Sequence, residues 1–317
     1  QPLQRHGKLT RPQLVLLSSS LFGRIDERVI DVAVAIECIH TASLVHDDII
    51  DGACLRRGIP TIHHLFSPVA AVLAGDYLFA TAFEILTHHK LNDILGEATR
   101  AIKLMCLGEI TQDLNLFNTD LNENDYLDNI FGKTASLFAT ACRCGALVTS
   151  ASSQEVNQIG LFGEYLGYAY QIVDDVIDFI GSEATLGKPC GGDLKNGVIT
   201  LPVIRALAIS DRRQELLDAI NSRQVESDDL KRVIDILEEC GAIRHATSRA
   251  VDYCRQARRV LDFFPPTNAQ EELQHLCSSL IELPILNEVD LHRPDLPLPV
   301  EEGLCLLEPE FPGFITT

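Results

Sequence analysis

Apolar positions along this chain fall at helical spacing. In "DERVIDVAVAIECIHTASLVHDDIID" (26–51) and "FGEYLGYAYQIVDDVIDFI" (162–180) they recur at intervals of three and four, the signature of a helix with one face in a core. Breakers separate such segments: "GIP" at 58–60, "SP" at 67–68, "TDLNEND" at 119–125 and "GKPCGGDLKNG" at 187–197. The Asn and Asp of "TDLNEND" offer an N-cap for a helix starting near Tyr126. No alternating strand pattern and no fixed-period repeat is visible. The pattern predicts an all-α fold, one large helical bundle over residues 1–264. Eight of the fourteen prolines lie from Pro265 onward, so 265–317 is expected to be a Pro-rich, acidic, irregular tail.

Composition narrows the picture. The chain has 317 residues, 46% of them hydrophobic, enough for a large core. Net charge is −19, with 26 Lys and Arg against 45 Asp and Glu. Such a surface repels phosphates, so no nucleic acid is expected as a partner. An anionic substrate would need local cations or a metal. Ten cysteines are scattered with no CxxC pair, which fits reduced thiols in a cytoplasmic protein. No uninterrupted apolar run reaches the ~18 residues of a membrane span, so no transmembrane segment is expected. The chain opens on Gln1 without a signal-peptide pattern, and upstream sequence is expected.

The candidate chemistry begins at "VHDDIIDGACLRRG". Asp47, Asp48 and Asp51 fall within five residues of an apolar helix. At 100° per residue Asp47 and Asp51 stack one turn apart. Two partly buried anions at 4 Å repel by about 4 kcal/mol at an effective dielectric near 20. Their pKa values must rise unless a cation intervenes, and oxygen-only ligands suit Mg²⁺ or Mn²⁺. The spacing repeats in "QIVDDVIDF" as Asp174, Asp175 and Asp178, with Asp174 127 positions after Asp47. A lone acidic triplet is most often a solvated helix face. Two, both in apolar helices, read as facing walls of a central cavity in a bundle.

Cations stand nearby in sequence: Lys8 and Arg11 in "HGKLTRP", Arg56 and Arg57 after the first triplet, Lys133 in "FGKTASL", Lys188 and Lys195 in "GKPCGGDLKNG". Each alone is most simply a surface charge. Together with two carboxylate clusters they suit a diphosphate carried on magnesium, since arginine forks grip phosphate oxygens bidentately and lysine adds a point charge. His40 sits two turns before Asp47 on the same helix face, where a satisfied core histidine is the plain alternative. His46 is expected on the helix face beside the site, and His63, His64, His88 and His89 at the surface.

"GKLTRP", "IHTASLVHDDIIDGACLRRG", "GDYLF", "GKTASL", "YQIVDDVIDF" and "GKPCGGDLKNGVITLP" occur in the order of the trans-isoprenyl diphosphate synthases, the polyprenyl synthetases, and over roughly 7–260 the chain resembles that family. The pattern is most similar to medium- and long-chain bacterial members, including the catalytic subunit of heptaprenyl diphosphate synthases. The resemblance implies a bundle of the isoprenoid synthase type and a head-to-tail condensation of isopentenyl diphosphate with an allylic diphosphate. It implies about three Mg²⁺ ions between the two motifs. Asp47 and Asp51 would hold metal on one wall and Asp174 on the other, with Asp48, Asp175 and Asp178 supporting or sharing ligation. Arg56, Lys133, Lys188 and Gln171 would hold the allylic diphosphate; Lys8, Arg11, His40 and Arg57 would hold isopentenyl diphosphate. The backbone carbonyl of a helix kinked near Lys133–Thr134 and the Gln171 amide would face the carbocation.

Ala42 and Ser43, one turn before Asp47, are expected to face the growing chain, with Phe79, Phe83 and the segment 104–109 as deeper floor candidates. Their small size leaves room for a product longer than geranylgeranyl. A homodimer is expected, with a heterodimer containing a non-catalytic subunit, or a shorter-chain synthase, as alternatives. A terpene synthase would carry an Asn/Ser/Glu motif where "DDVID" stands. A purely structural metal-binding bundle would leave Arg56 and Arg57 unexplained.

Overall fold

The computed structural model describes residues 9–181, 190–223 and 227–282. Its helices are α1 (Thr10–Ser20), α2 (Glu27–Ile50), α3 (Ile62–Leu65), α4 (Pro68–His88), α5 (Asn92–Leu114), α6 (Glu123–Ile130), α7 (Ser136–Val148), α8 (Ser153–Ile180), α9 (Gly192–Lys195), α10 (Leu201–Ile209), α11 (Arg213–Asn221), α12 (Ser227–Glu239), α13 (Ala242–Leu261) and α14 (Asn268–Ile281). Among the described residues the only strands are β1 (Leu55–Arg56) and β2 (Ile59–Pro60), an antiparallel pair after α2 that the strand-free reading missed because each is two residues long. The fold is all-α, as the periodicity predicts.

Local chemistry sets the ends of the two helices that matter most. Asp26 caps α2, its carboxylate accepting the Val29 amide at 3.1 Å. Ser152 and Glu155 close a capping box at the start of α8. Asn122 and Asp125 close another at α6, so that helix starts at Glu123, three residues before the expected position. Between α6 and α7 the residues Phe131–Ala135 form a π-helical turn, the kink expected near Lys133–Thr134.

α8 is the central helix. It packs against α7 and α13, and α2 packs against α4 and α1. One core joins them, with Phe138, Phe162 and Tyr253 among its largest buried side chains. Two features differ from the sequence reading. First, α14 belongs to the bundle: Leu273 and Cys277 lie in the core, so the helical unit runs past the expected boundary at 264, and of the expected tail, residues 283–317 lie outside the described ones. Second, α2 and α4 are each long and apolar enough to cross a membrane by length and composition. Both are packed helices of the bundle, α2 against α1 and α4, and their apolar stretches are interrupted by charged residues.

Candidate active site

The first aspartate cluster closes α2. At 100° per residue Asp51 lies between Asp47 and Asp48 around the helix, about 40° from the first and about 60° from the second. Asp48 is buried and accepts from Arg56 Nε at 2.6 Å. Arg56 reaches it because β1 and β2 form a two-residue hairpin. Arg57 and Gly58 take φ of 52° and 73° at its tip, the pair of positive values of a type I′ turn. Thr61 pins the hairpin to the helix end, its hydroxyl donating to the Ala53 carbonyl at 2.7 Å.

Asp47 is the most strained acid of this cluster. Burial, then Glu109 and Asp51, push its pKa up to about 6 against the pull of Lys133 and Arg56. Asp51 is raised as well, chiefly by burial. Lys133 sits in the π-helical turn, its Nζ 3.0 Å from Glu109 Oε2 and donating to Gln112 Oε1 at 3.1 Å. Burial works against its charge, but Glu109, Asp47 and Asp51 together outweigh it and leave its pKa above the ordinary lysine value. The turn comes this close because Gly108 lets α5 touch it: a Cβ there would lie 2.7 Å from the Lys133 amide nitrogen. Glu109 and Gln112 escaped the sequence reading, since a single Glu and Gln on an amphipathic helix carry no spacing signal.

The next residue of the turn faces the other wall. Thr134 Oγ1 donates to Gln171 Oε1 at 2.6 Å, and Gln171 Nε2 donates to Asp175 Oδ1 at 2.8 Å. Of the second cluster, Asp174 is exposed while Asp175 and Asp178 are buried. Asp175 also accepts the Tyr126 hydroxyl at 2.6 Å. Burial, then Asp193, raises its pKa, with Asp174 adding to the effect. Asp178 accepts the Asp193 amide at 3.1 Å, and its backbone carbonyl accepts the Gly191 amide at 2.8 Å, docking α9 and half-buried Lys195 onto α8. Asp174 is the exposed acid of the three, and buried Asp175 and Asp178 hold hydrogen bonds to protein groups.

A cavity of about 860 Å³ borders this region, its polar end lined by Arg11, His40, Asp48, Arg56, Arg57 and Tyr170. Arg11 NH1 lies 3.0 Å from His40 Nε2, and its guanidinium stacks 4.8 Å over the Phe138 ring. Burial, then the three arginines 11, 57 and 56, drive the His40 pKa down to about 2, so His40 is neutral and accepts from Arg11. Burial also lowers the Arg11 pKa to about 10. Arg11 Nε is buried with no hydrogen-bond partner among the described residues, a donor free for an anion. Ile30, Val34, Leu44 and Leu78 carry the cavity's apolar side.

Lys8 and Lys188 lie outside the described residues. Ala42 is fully buried in the core, and Ser43 donates to the His40 carbonyl at 2.9 Å; neither lines the 860 Å³ cavity. His46 packs on α4, its Nε2 3.2 Å from the Val72 carbonyl, and His89, expected at the surface, is half-buried against Asp31.

An all-α bundle thus brings two aspartate-bearing helices to a cation-bearing π-helical turn. The chain belongs to the polyprenyl synthetase family, whose model matches residues 1–237; it is a prenyltransferase by family. It is 40% identical over 278 residues to heptaprenyl diphosphate synthase component 2 of Geobacillus stearothermophilus, covering 86% of this chain and 85% of that one. Among solved structures it is similar to a decaprenyl diphosphate synthase from Rhodobacter capsulatus, with TM-score 0.84, 31% identity and 88% and 87% of the two chains covered. It is also similar to a polyprenyl synthase from Caulobacter crescentus CB15 complexed with calcium and isoprenyl diphosphate, with TM-score 0.85, 32% identity and 89% and 86% coverage.

Proposed function

We propose that this chain joins isopentenyl diphosphate head-to-tail (1′–4) to an allylic diphosphate, releasing diphosphate and building a medium- or long-chain all-trans polyprenyl diphosphate. The observation that carries the reading is the π-helical turn. Its Lys133 is charge-coupled to Asp47 and Asp51, and its Thr134 is bonded to Gln171, one turn before Asp175. The two acidic motifs thus flank one short segment.

The donor set fits a divalent cation. Asp47, Asp51 and Asp174 offer oxygen only, and Asp47 is held near a pKa of about 6 by burial with too little positive charge beside it. That suits magnesium, which takes one or two carboxylates and fills its shell with water and substrate phosphates. Asp47, Asp51 and Asp174 would hold Mg²⁺ (about three ions, with Mn²⁺ as a substitute), which would supply positive charge to the leaving diphosphate.

The residues do the rest. Arg56 and Lys133 grip the allylic diphosphate as charge develops on it. Arg11, Arg57 and neutral His40 take isopentenyl diphosphate at the polar end of the cavity. The C1–O bond of the allylic diphosphate breaks, and C4 of isopentenyl diphosphate bonds to C1. A proton leaves C2 to the departing diphosphate, restoring a double bond. The Gln171 amide and the backbone of the kinked turn face the allylic cation, and apolar walls keep water from it.

The likeness to heptaprenyl and decaprenyl synthases supports a long product, and the likeness to geranylgeranyl synthases supports the shorter alternative. Ser43, half-buried one turn before Asp47, remains the position for limiting it, and Ser43→Phe is expected to shorten the product on a chromatogram; an unchanged length removes Ser43 from that role. The likeness to a "component 2" protein supports a second reading, in which a partner subunit is needed for activity. The test is diphosphate release from farnesyl diphosphate with Mg²⁺. Release that depends on isopentenyl diphosphate supports the first reading, and release only after a non-catalytic subunit is added supports the second. Release independent of isopentenyl diphosphate contradicts both.

A further inference from the structure

Behind the second aspartate cluster lies a hydrogen-bonded relay whose far end, Tyr126 and Asp175, has no role in the reaction above. Tyr126 on α6 is 5% exposed, and Asp175 on α8 is 3% exposed. The Tyr126 hydroxyl donates to Asp175 Oδ2 at 2.6 Å, Asp175 Oδ1 accepts from Gln171 Nε2 at 2.8 Å, and Gln171 Oε1 accepts from Thr134 at 2.6 Å. A primary amide has a donor end and an acceptor end of nearly one shape, so a glutamine fits its site in two orientations unless its partners sort them. Here the partners sort them: a carboxyl oxygen takes the NH₂ end and a hydroxyl takes the oxygen. The carboxyl is itself held, because both of its oxygens are engaged. The phenol explains why a tyrosine stands where a phenylalanine would fill the same core: a buried hydroxyl is costly unless it finds an acceptor.

We infer that Tyr126 and Asp175 are positioning residues that lock the Gln171 amide with its oxygen toward the kinked turn, where positive charge develops on the allylic group. The inference rests on the prenyl-transfer reading. It also assigns Asp175 away from metal binding. An amide free to flip would place its NH₂ end, a positive dipole, beside a forming cation and slow the chemical step without weakening the hold on either diphosphate.

The test is a double-mutant cycle in the full chain with Tyr126→Phe and Gln171→Ala, read as kcat, both KM values, the magnesium half-saturation and the melting temperature. Tyr126→Phe is expected to lower kcat at least about tenfold, the rate equivalent of one hydrogen bond to a charged group. Both KM values and the magnesium requirement should stay within about twofold of wild type, and the double variant should be no slower than Gln171→Ala alone. Where Tyr126→Phe is too unstable to assay, Asp175→Asn preserves the volume and enters the same cycle with the same expectation. A lowered melting temperature with unchanged kcat makes the phenol merely structural and overturns the inference. So do fully multiplicative losses in the cycle, or a raised magnesium requirement in Asp175→Asn. A wild-type chain with no isopentenyl-dependent diphosphate release overturns the prenyl-transfer reading and this inference with it, and that result is read before any variant is compared.

Discussion

Asp47 concentrates the electrostatics of the site in one carboxyl. Its pKa in the folded chain, about 6, stands above the ordinary aspartate value because burial opposes its charge. A group raised on folding contributes its stability fully below the unfolded pKa and loses it as pH rises through the folded value. Metal-free protein should therefore be destabilised by Asp47 above about pH 6, by about 2 kcal/mol after allowance for residual screening. Asp47→Asn is expected to melt about 4 °C above wild type at pH 8 in chelator, with the gap closing by about pH 4. Equal melting at pH 8 would show that the charge is already compensated. The same residue marks what the sequence made legible. The i, i+1, i+4 spacing was enough to stack Asp47 and Asp51 one turn apart on one side of the helix. It was not enough to rank the three acids of α8, since the Tyr126 and Asp193 contacts that bury Asp175 and Asp178 come from distant segments.

At the scale of elements, the kinked turn is what brings the two clusters together, and Gly108 is what lets it approach α5. A methyl group there would meet the Lys133 amide nitrogen at 2.7 Å, a backbone atom that cannot swing aside. Gly108→Ala is expected to cost about 1–3 kcal/mol of stability and to lower kcat by displacing Lys133 and Thr134 together. Wild-type kcat in a folded Gly108→Ala protein would mean that the turn's position is not critical. The kink was foreseeable only through family resemblance, because periodicity does not distinguish a π-helical turn from an α-helical one. The hairpin that aims Arg56 was missed for its brevity. α14 was missed for another reason: Ala269, Leu273 and Cys277 keep a helical period, but prolines on both sides of that stretch caused it to be read as tail.

At the scale of the molecule, α4 packs on α2 with one side and leaves a stripe of apolar residues on the other. Val69, Leu73 and Tyr77, spaced one turn apart, are 69%, 62% and 73% exposed, and Ile110 and Leu114 of α5 are exposed as well. A stripe of this kind suits a partner subunit, a copy of this chain or a non-catalytic one. Leu73→Asp is expected to shift a purified dimer to monomer in light scattering; a dimer that persists would place the interface elsewhere. The net charge of −19 agrees with a site that gathers its cations locally at Arg11, Arg56, Arg57 and Lys133, leaving the rest of the surface acidic.

The central claim is that the two aspartate clusters and the cations between them extend a prenyl chain. The measurement that tests it most directly is a chromatogram of lipid products after incubation with labelled isopentenyl diphosphate, farnesyl diphosphate and Mg²⁺. The account expects label in all-trans polyprenyl diphosphates longer than geranylgeranyl, abolished by chelator and by Asp174→Asn. Label that never enters a lipid product, with or without a partner subunit, would contradict it.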